Sequence, residues 1–319
     1  MQQICRHKLA ESKLLLFKAI NNTNKNKIFA NSNATVTLNE YQSEFIHNRS
    51  WNLIGNPYPS YYDTRFTDLL APITVWNFNN NTYTAYSPVD DSYILRPGEA
   101  FFVQCPVDSK NIIFKKEGRQ TDRTARTINA AALAKGTYTS SVRSIINLTI
   151  SDGTNSDKTR IVLNDNAAMQ YEMDKDASKF MSSDPGVPQI FSTNEEIEYA
   201  INERPLDAGI VELGTRINID GNYTIALANI PEDYSIYLLD KKTGEKALLN
   251  EGSYPFTAEA GEQPARFSLI INREGTTGIY NIDTNDSDEA DIYNLNGVKV
   301  KEPLQRGIYI RNNKKIIVK

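Results

Sequence analysis

The chain reads as all-β: two antiparallel β-sandwich domains, immunoglobulin-like or jelly-roll in type, followed by a short C-terminal β-hairpin unit. Three observations predict this. Apolar and polar residues alternate with period two in short runs such as Ala34-Thr35-Val36-Thr37-Leu38 and Ile73-Thr74-Val75-Trp76, the spacing of a strand half buried in a sheet. Glycine, proline and asparagine punctuate those runs where turns require φ values that other residues resist. Helical periodicity is scarce, and 319 residues with 40% hydrophobic and 23% charged side chains are enough to fill two cores.

In chain order, residues 1–26 come first. They hold basic side chains around one apolar run, Leu14-Leu15-Leu16-Phe17, which Lys18 interrupts and no small-residue cleavage site follows. Such a stretch does not qualify as a signal peptide. The expectation is a poorly ordered or truncated segment, with the chain forming the C-terminal part of a longer protein.

Residues 27–114 predict the first sandwich domain, a meander of short strands. Its most distinctive stretch is Trp51-Asn52-Leu53-Ile54-Gly55-Asn56-Pro57-Tyr58-Pro59-Ser60, in which a strand ends at Gly55-Asn56 and two prolines impose an extended path poor in backbone donors. Farther on, Leu95-Arg96-Pro97-Gly98-Glu99-Ala100-Phe101-Phe102 reads as a Pro-Gly turn feeding a buried strand. This pair of segments resembles a recurrent module of Bacteroidetes outer-surface proteins. The resemblance implies a secreted or cell-surface location.

Residues 115–140 predict a linker, basic at first and then helix-prone over Ile128-Asn129-Ala130-Ala131-Ala132-Leu133-Ala134 up to Gly136. Residues 141–272 predict the second sandwich, with turns at Ser151-Asp152-Gly153, Asp220-Gly221-Asn222 and Lys242-Thr243-Gly244. The run Lys158-Thr159-Arg160-Ile161-Val162-Leu163-Asn164-Asp165-Asn166-Ala167, with Asp176-Ala177-Ser178-Lys179-Phe180 after it, resembles the sandwich that precedes the tail in the same surface proteins.

Residues 273–291 are acidic and polar, which predicts a flexible spacer. The tail, 292–319, is basic and reads as short strands turning at Asn296-Gly297 and Asn312-Asn313. Its motif residues, Asn296, Gly297, Val298, Gly307, Ile308, Tyr309, Lys314 and Lys315, resemble the C-terminal sorting domains that direct type IX secretion in Bacteroidetes. That resemblance implies an export or attachment signal read by secretion or surface-attachment machinery. Strands this short cannot be stable alone, so the unit needs a neighbour or a partner.

The chemistry-bearing residues are few. His7 and His47 are the only histidines, and Cys5 and Cys105 stand far apart in sequence, so neither a nucleophilic triad nor a zinc site has the necessary side chains. Asp152, Asn155 and Asp157 have a faintly calcium-loop spacing, but the glycine is misplaced for an EF-hand, and a solvated hairpin is the better reading. No metal or cofactor is expected. A net charge of −4 argues against nucleic acid as a partner, and no apolar run is long enough for a transmembrane segment.

The expectation is therefore a non-catalytic structural or display module. The alternative is a glycan-binding module. Trp51, Tyr58, Tyr61, Tyr62, Trp76, Tyr83 and Tyr86 crowd one region; alternation assigns the tryptophans to the core, which leaves Tyr58, Tyr61 and Tyr62 beside the proline turn to stack on a polysaccharide. A third reading, a hydrolase on a β-scaffold, requires two facing carboxylates.

Overall fold

A computed structural model describes residues 32–106, 110–124, 143–261, 265–273, 292–294, 298–300, 306–311 and 314–318. Several expectations lie outside these: the segment 1–26 with Cys5 and His7, the helix-prone run 128–134, nearly all of the acidic spacer, and the turn residues Asn296 and Gly297. Helical structure among the described residues is confined to 3-10 turns at Ile46–Asn48, Thr64–Phe66 and Lys116–Gly118. The all-β prediction holds.

The first body contains nine strands: β1 (Ala34–Thr37), β2 (Trp51–Gly55), β3 (Tyr61–Asp63), β4 (Ile73–Asn77), β5 (Thr82–Tyr86), β6 (Ile94–Leu95), β7 (Ala100–Gln104), β8 (Asn111–Phe114) and β9 (Arg119–Gln120). They form a four-stranded sheet in the order β2-β7-β4-β5, a three-stranded sheet β6-β3-β9 and the pair β1-β8. One face of the four-stranded sheet sends Ile54, Phe101, Val103, Ile73 and Val75 into a core shared with Tyr58, Tyr62, Leu95 and Phe114. The predicted Pro97-Gly98 turn is present, with Gly98 at φ +73, where a side chain would be strained.

The second body contains β10 (Ser144–Ser151), β11 (Ser156–Leu163), β12 (Ala177–Ser178), β13 (Gln189–Asn194), β14 (Ile197–Arg204), β15 (Ile210–Arg216), β16 (Gly221–Leu227), β17 (Tyr234–Asp240), β18 (Glu245–Leu248), β19 (Tyr254–Ala258) and β20 (Phe267–Arg273). In place of two separate sheets, they make one eleven-stranded sheet in the order β18-β17-β20-β15-β13-β14-β11-β10-β16-β19, with β12 added on β14. Strands from both halves of that order, including β10, β11 and β16 on one side and β15, β17 and β20 on the other, supply one core, so the sheet bends over its own apolar face. A further departure from the antiparallel expectation is the pairing of β11 with β14, which is parallel, Arg160 lying opposite Ile201.

Residues 27–114 and 141–272, expected as separate domains, lie within one compact unit, Met1–Gly275. One apolar contact between them joins Ala85 of β5 to Val162, Ala177, Ala200 and Ile201. The second unit, Thr276–Lys319, holds β21 (Ile292–Asn294), β22 (Lys299–Val300), β23 (Gly307–Arg311) and β24 (Lys314–Val318) in a four-stranded antiparallel sheet, order β22-β21-β23-β24.

Candidate functional site

The two segments that carried the surface-protein resemblance are neighbours in space. β2 pairs with β7 so that Ile54 faces Phe101 and Gly55 faces Ala100. Asn56 completes the link, donating from Nδ2 to the carbonyls of Ser60 (2.8 Å) and Arg96 (3.0 Å) while its Oδ1 accepts the Tyr58 backbone N–H. The prolines leave this loop short of backbone donors, and one amide side chain closes it.

That loop turns Tyr58 inward, which corrects the expectation that it and Tyr62 offer faces to a sugar. Tyr58 is 6% exposed and Tyr62 is fully buried; their rings stack 5.5 Å apart, and their hydroxyls donate to the carbonyls of Phe114 and Lys115. Burial raises both phenol pKa values. Tyr61, the third candidate, is half-buried and points away from this core.

The available aromatic surface lies on the opposite face of the β2-β7-β4-β5 sheet. Here Trp51, Phe102, Tyr83 and Trp76 are all half-buried rather than core residues, which corrects the reading of the two tryptophans. Phe180 from the second body sits among them, 4.7 Å from Trp51, 5.2 Å from Phe102 and 5.6 Å from Tyr83 between ring centroids. The file continues from Tyr83 to Trp76 at 4.9 Å and on to Phe78, which is 71% exposed at the β4–β5 turn. Beside that turn, Asn80 and Asn81 bond to Ser156 and Asp184 of the second body. Apolar ring surface with fixed amides next to it can hold a ligand that has both a C–H face and hydroxyl groups. No local pattern marks Phe180 as a site residue, because its neighbours come from a remote part of the chain. Strict alternation along β4 and β7 was the available signal for the rest.

Polar contacts seal the junction on its other side. Arg160 of β11 holds Asp91 through two hydrogen bonds of 2.8 Å, and its Nε donates to Asn147. Arg143 spans Asp90 (2.5 Å) and the buried Glu203 (2.6 Å). The Lys158 ammonium sits 4.4 Å from the centre of the Tyr86 ring, and burial lowers its pKa. Behind them the Asp176 carboxyl is pushed up to about 8, because burial outweighs the backbone N–H groups of Glu172 and Glu203 that it accepts.

The ends of the large sheet meet at a seam between β18 and β19. Arg266 occupies it, paired through two nitrogens with Asp240, donating to the Thr257 carbonyl at 2.8 Å and lying 4.9 Å from the ring centres of Phe256 and Phe267. Burial alone would raise the Asp240 carboxyl; the hydrogen bond from Arg266 overcomes this and holds it below the usual range. A cavity of about 430 Å³ opens here, and Glu245 is the one carboxylate among its lining residues. A hydrolytic pair is not assembled in it. His47 lies elsewhere, its ring 6.3 Å from Tyr171, with burial lowering its pKa. The calcium-like triplet is split: Asp152 caps its own hairpin through the N–H groups of Thr154 and Asn155, while Asp157 turns inward. Among the described residues, no group of three or more His, Cys, Asp or Glu could hold a metal ion.

In the tail, the backbones of Gly307, Ile308 and Tyr309 lie in β23, and those of Lys314 and Lys315 in β24. Val298 is 57% exposed, and its N–H donates to Asn294 Oδ1 at 3.0 Å, closing the hairpin. Ile308 and Ile310 share an exposed face of β23, with Tyr309 on the other.

These features define an all-β protein in which two sheet-built bodies form one compact unit around an aromatic and charged junction. The chain belongs to the family described as a domain of unknown function, DUF8693, whose model matches residues 61–271 and so runs across both bodies. No curated protein and no solved structure matches the chain. No helix among the described residues is long and apolar enough to cross a membrane.

Proposed function

We propose that the chain is a non-catalytic support and display module of a secreted or cell-surface protein, with 292–319 as its export or attachment signal. The observation that carries this reading is the junction. Bidentate Arg160–Asp91 pairing, the Arg143 bridge and the Phe180-centred aromatic file make two small β-bodies act as one stiff spacer, a use of charged and aromatic groups that suits bearing load rather than turning over a substrate. The family match across both bodies supports treating them as one module. The likeness of the tail to type IX sorting domains supports the address. Deleting residues 292–319 and labelling intact cells with an antibody against the remaining unit tests it; display at the full-length level would refute the tail's role.

One observation favours a second reading, glycan binding. The aromatic file ends in the exposed ring of Phe78 beside Trp76, a surface that can stack on a sugar. Affinity electrophoresis through polysaccharide gels tests it, with retardation expected for the intact chain and lost in Phe78→Ala and Trp76→Ala. Equal mobility with and without every polysaccharide would end this reading.

A further inference from the structure

We propose that Lys179 and Asp157 join through an isopeptide bond within the second body. Both side chains are 1% exposed, and Lys179 Nζ lies 2.5 Å from Asp157 Oδ2. The same oxygen accepts the backbone N–H of Ile190 at 2.9 Å. Asp157 Oδ1 is buried with no hydrogen-bond partner among the described residues. A carboxylate desolvated on one oxygen, facing an ammonium equally cut off from water, is a costly arrangement as an ion pair. For Nζ to act as a nucleophile it must pass a proton to the carboxylate it touches, and condensation of the two groups removes both charges together.

The geometry then favours condensation. Amine and carboxyl are held in contact by the fold, which replaces a bimolecular encounter with an intramolecular one. Nζ attacks Cγ, forming the N–C bond; the developing negative charge falls on Oδ2, where the Ile190 N–H already points. Two of the three ammonium protons pass to Oδ1, which leaves as water when its bond to Cγ breaks, and the third remains as the amide N–H. Atoms and charge balance without an oxidant or any co-reactant. The product loses both buried charges and the oxygen that lacks a partner. Oδ2 stays as a carbonyl accepting from Ile190, and the new N–H has the Lys158 carbonyl 3.4 Å from Nζ to receive it. The bond ties β11 to the chain just beyond β12, closing a loop between residues 22 apart in sequence. This inference does not depend on the display reading, since the bond can form whatever the module presents.

Intact-mass measurement of the full chain under denaturing conditions tests it. The expected mass is lower than the sequence mass by one water, and trypsin digestion should yield a branched peptide joining Asp157 to Lys179, with cleavage after Lys179 lost. Lys179→Arg should restore the full sequence mass. The full mass in the unaltered chain, with free Asp157- and Lys179-containing peptides, would overturn the proposal, as would a water loss that persists in Lys179→Arg. The branched peptide decides the matter even if that variant fails to fold.

Discussion

Arg160 reaches out of β11 to clasp Asp91 with Nη1 and Nη2, each 2.8 Å from a different carboxylate oxygen, so the largest sheet is bolted to a loop of the neighbouring body. Arg160 is 9% exposed and Asp91 20% at the side chain, so removing the carboxylate leaves a guanidinium with little water to replace it. Asp91→Ala should cost about 2–3 kcal/mol, less than a fully buried pair because solvent reaches Asp91. Arg160→Lys should not restore the loss, since an ammonium cannot match the fork. Both tryptophans belong to the first body, so their fluorescence reports on it, while far-UV circular dichroism is weighted toward the larger sheet. In Asp91→Ala the two urea transitions should separate; coincident transitions at the unaltered midpoint would show that the clasp contributes nothing.

The Asp176 carboxyl gives stability a pH dependence. Its folded pKa is about 8, against an ordinary value of about 3.9 in the unfolded chain. Below about pH 4 both states hold the proton; between about 4 and 8 only the folded state does, so this group's contribution falls as pH rises, by at most about 1.4 kcal/mol per pH unit. Asp176→Asn removes the titration. The stability difference between the unaltered protein and that variant, from urea midpoints, should be largest near pH 4 and shrink toward pH 8. A difference that grows over that range would contradict the assignment.

Tyr62 separates a core role from a ligand-facing one. Tyr62→Phe keeps the ring and loses the hydrogen bond to the Lys115 carbonyl, at an expected cost of about 1 kcal/mol. Tyr62→Ala empties the space against Tyr58 and Phe114 and should cost about 3–5 kcal/mol. If Tyr62→Phe instead left stability untouched and abolished polysaccharide retardation, the hydroxyl would be serving a ligand and not the core.

Gly214 lies under the Phe191 ring across the β13–β15 pair, and a Cβ there would fall 2.1 Å from Phe191 Cε2. Gly214→Ala should therefore destabilise the second body by about 1–3 kcal/mol through overpacking. Phe191→Leu in the same chain should recover part of that loss, a coupling that calorimetry on the four members of the cycle would measure. Additive effects would mean the ring moves aside freely.

Much of the fold was legible because strand periodicity is local. The β4 run Ile73-Thr74-Val75-Trp76 shows its two faces in its own order, and Pro97-Gly98 announces its turn through the backbone demands of two adjacent residues. That pattern placed Trp76 in the core with its neighbours, whereas the structure puts it on the face opposite Val75, against the Tyr83 ring. The candidate tyrosines show the limit most clearly: proximity to a proline turn suggested exposure, yet Asn56 folds that turn so that Tyr58 points inward.

By itself the sequence determined the class of the protein: alternation and turn chemistry, both set within a few neighbouring residues, require sheets. Only the tertiary structure decided that β11 runs parallel to β14, that Arg266 joins the two ends of the largest sheet, and that Asp157 meets Lys179. Those outcomes depend on contacts between distant parts of the chain, and a residue's partner across such a distance is selected by competing burial and charge energies that no local pattern encodes.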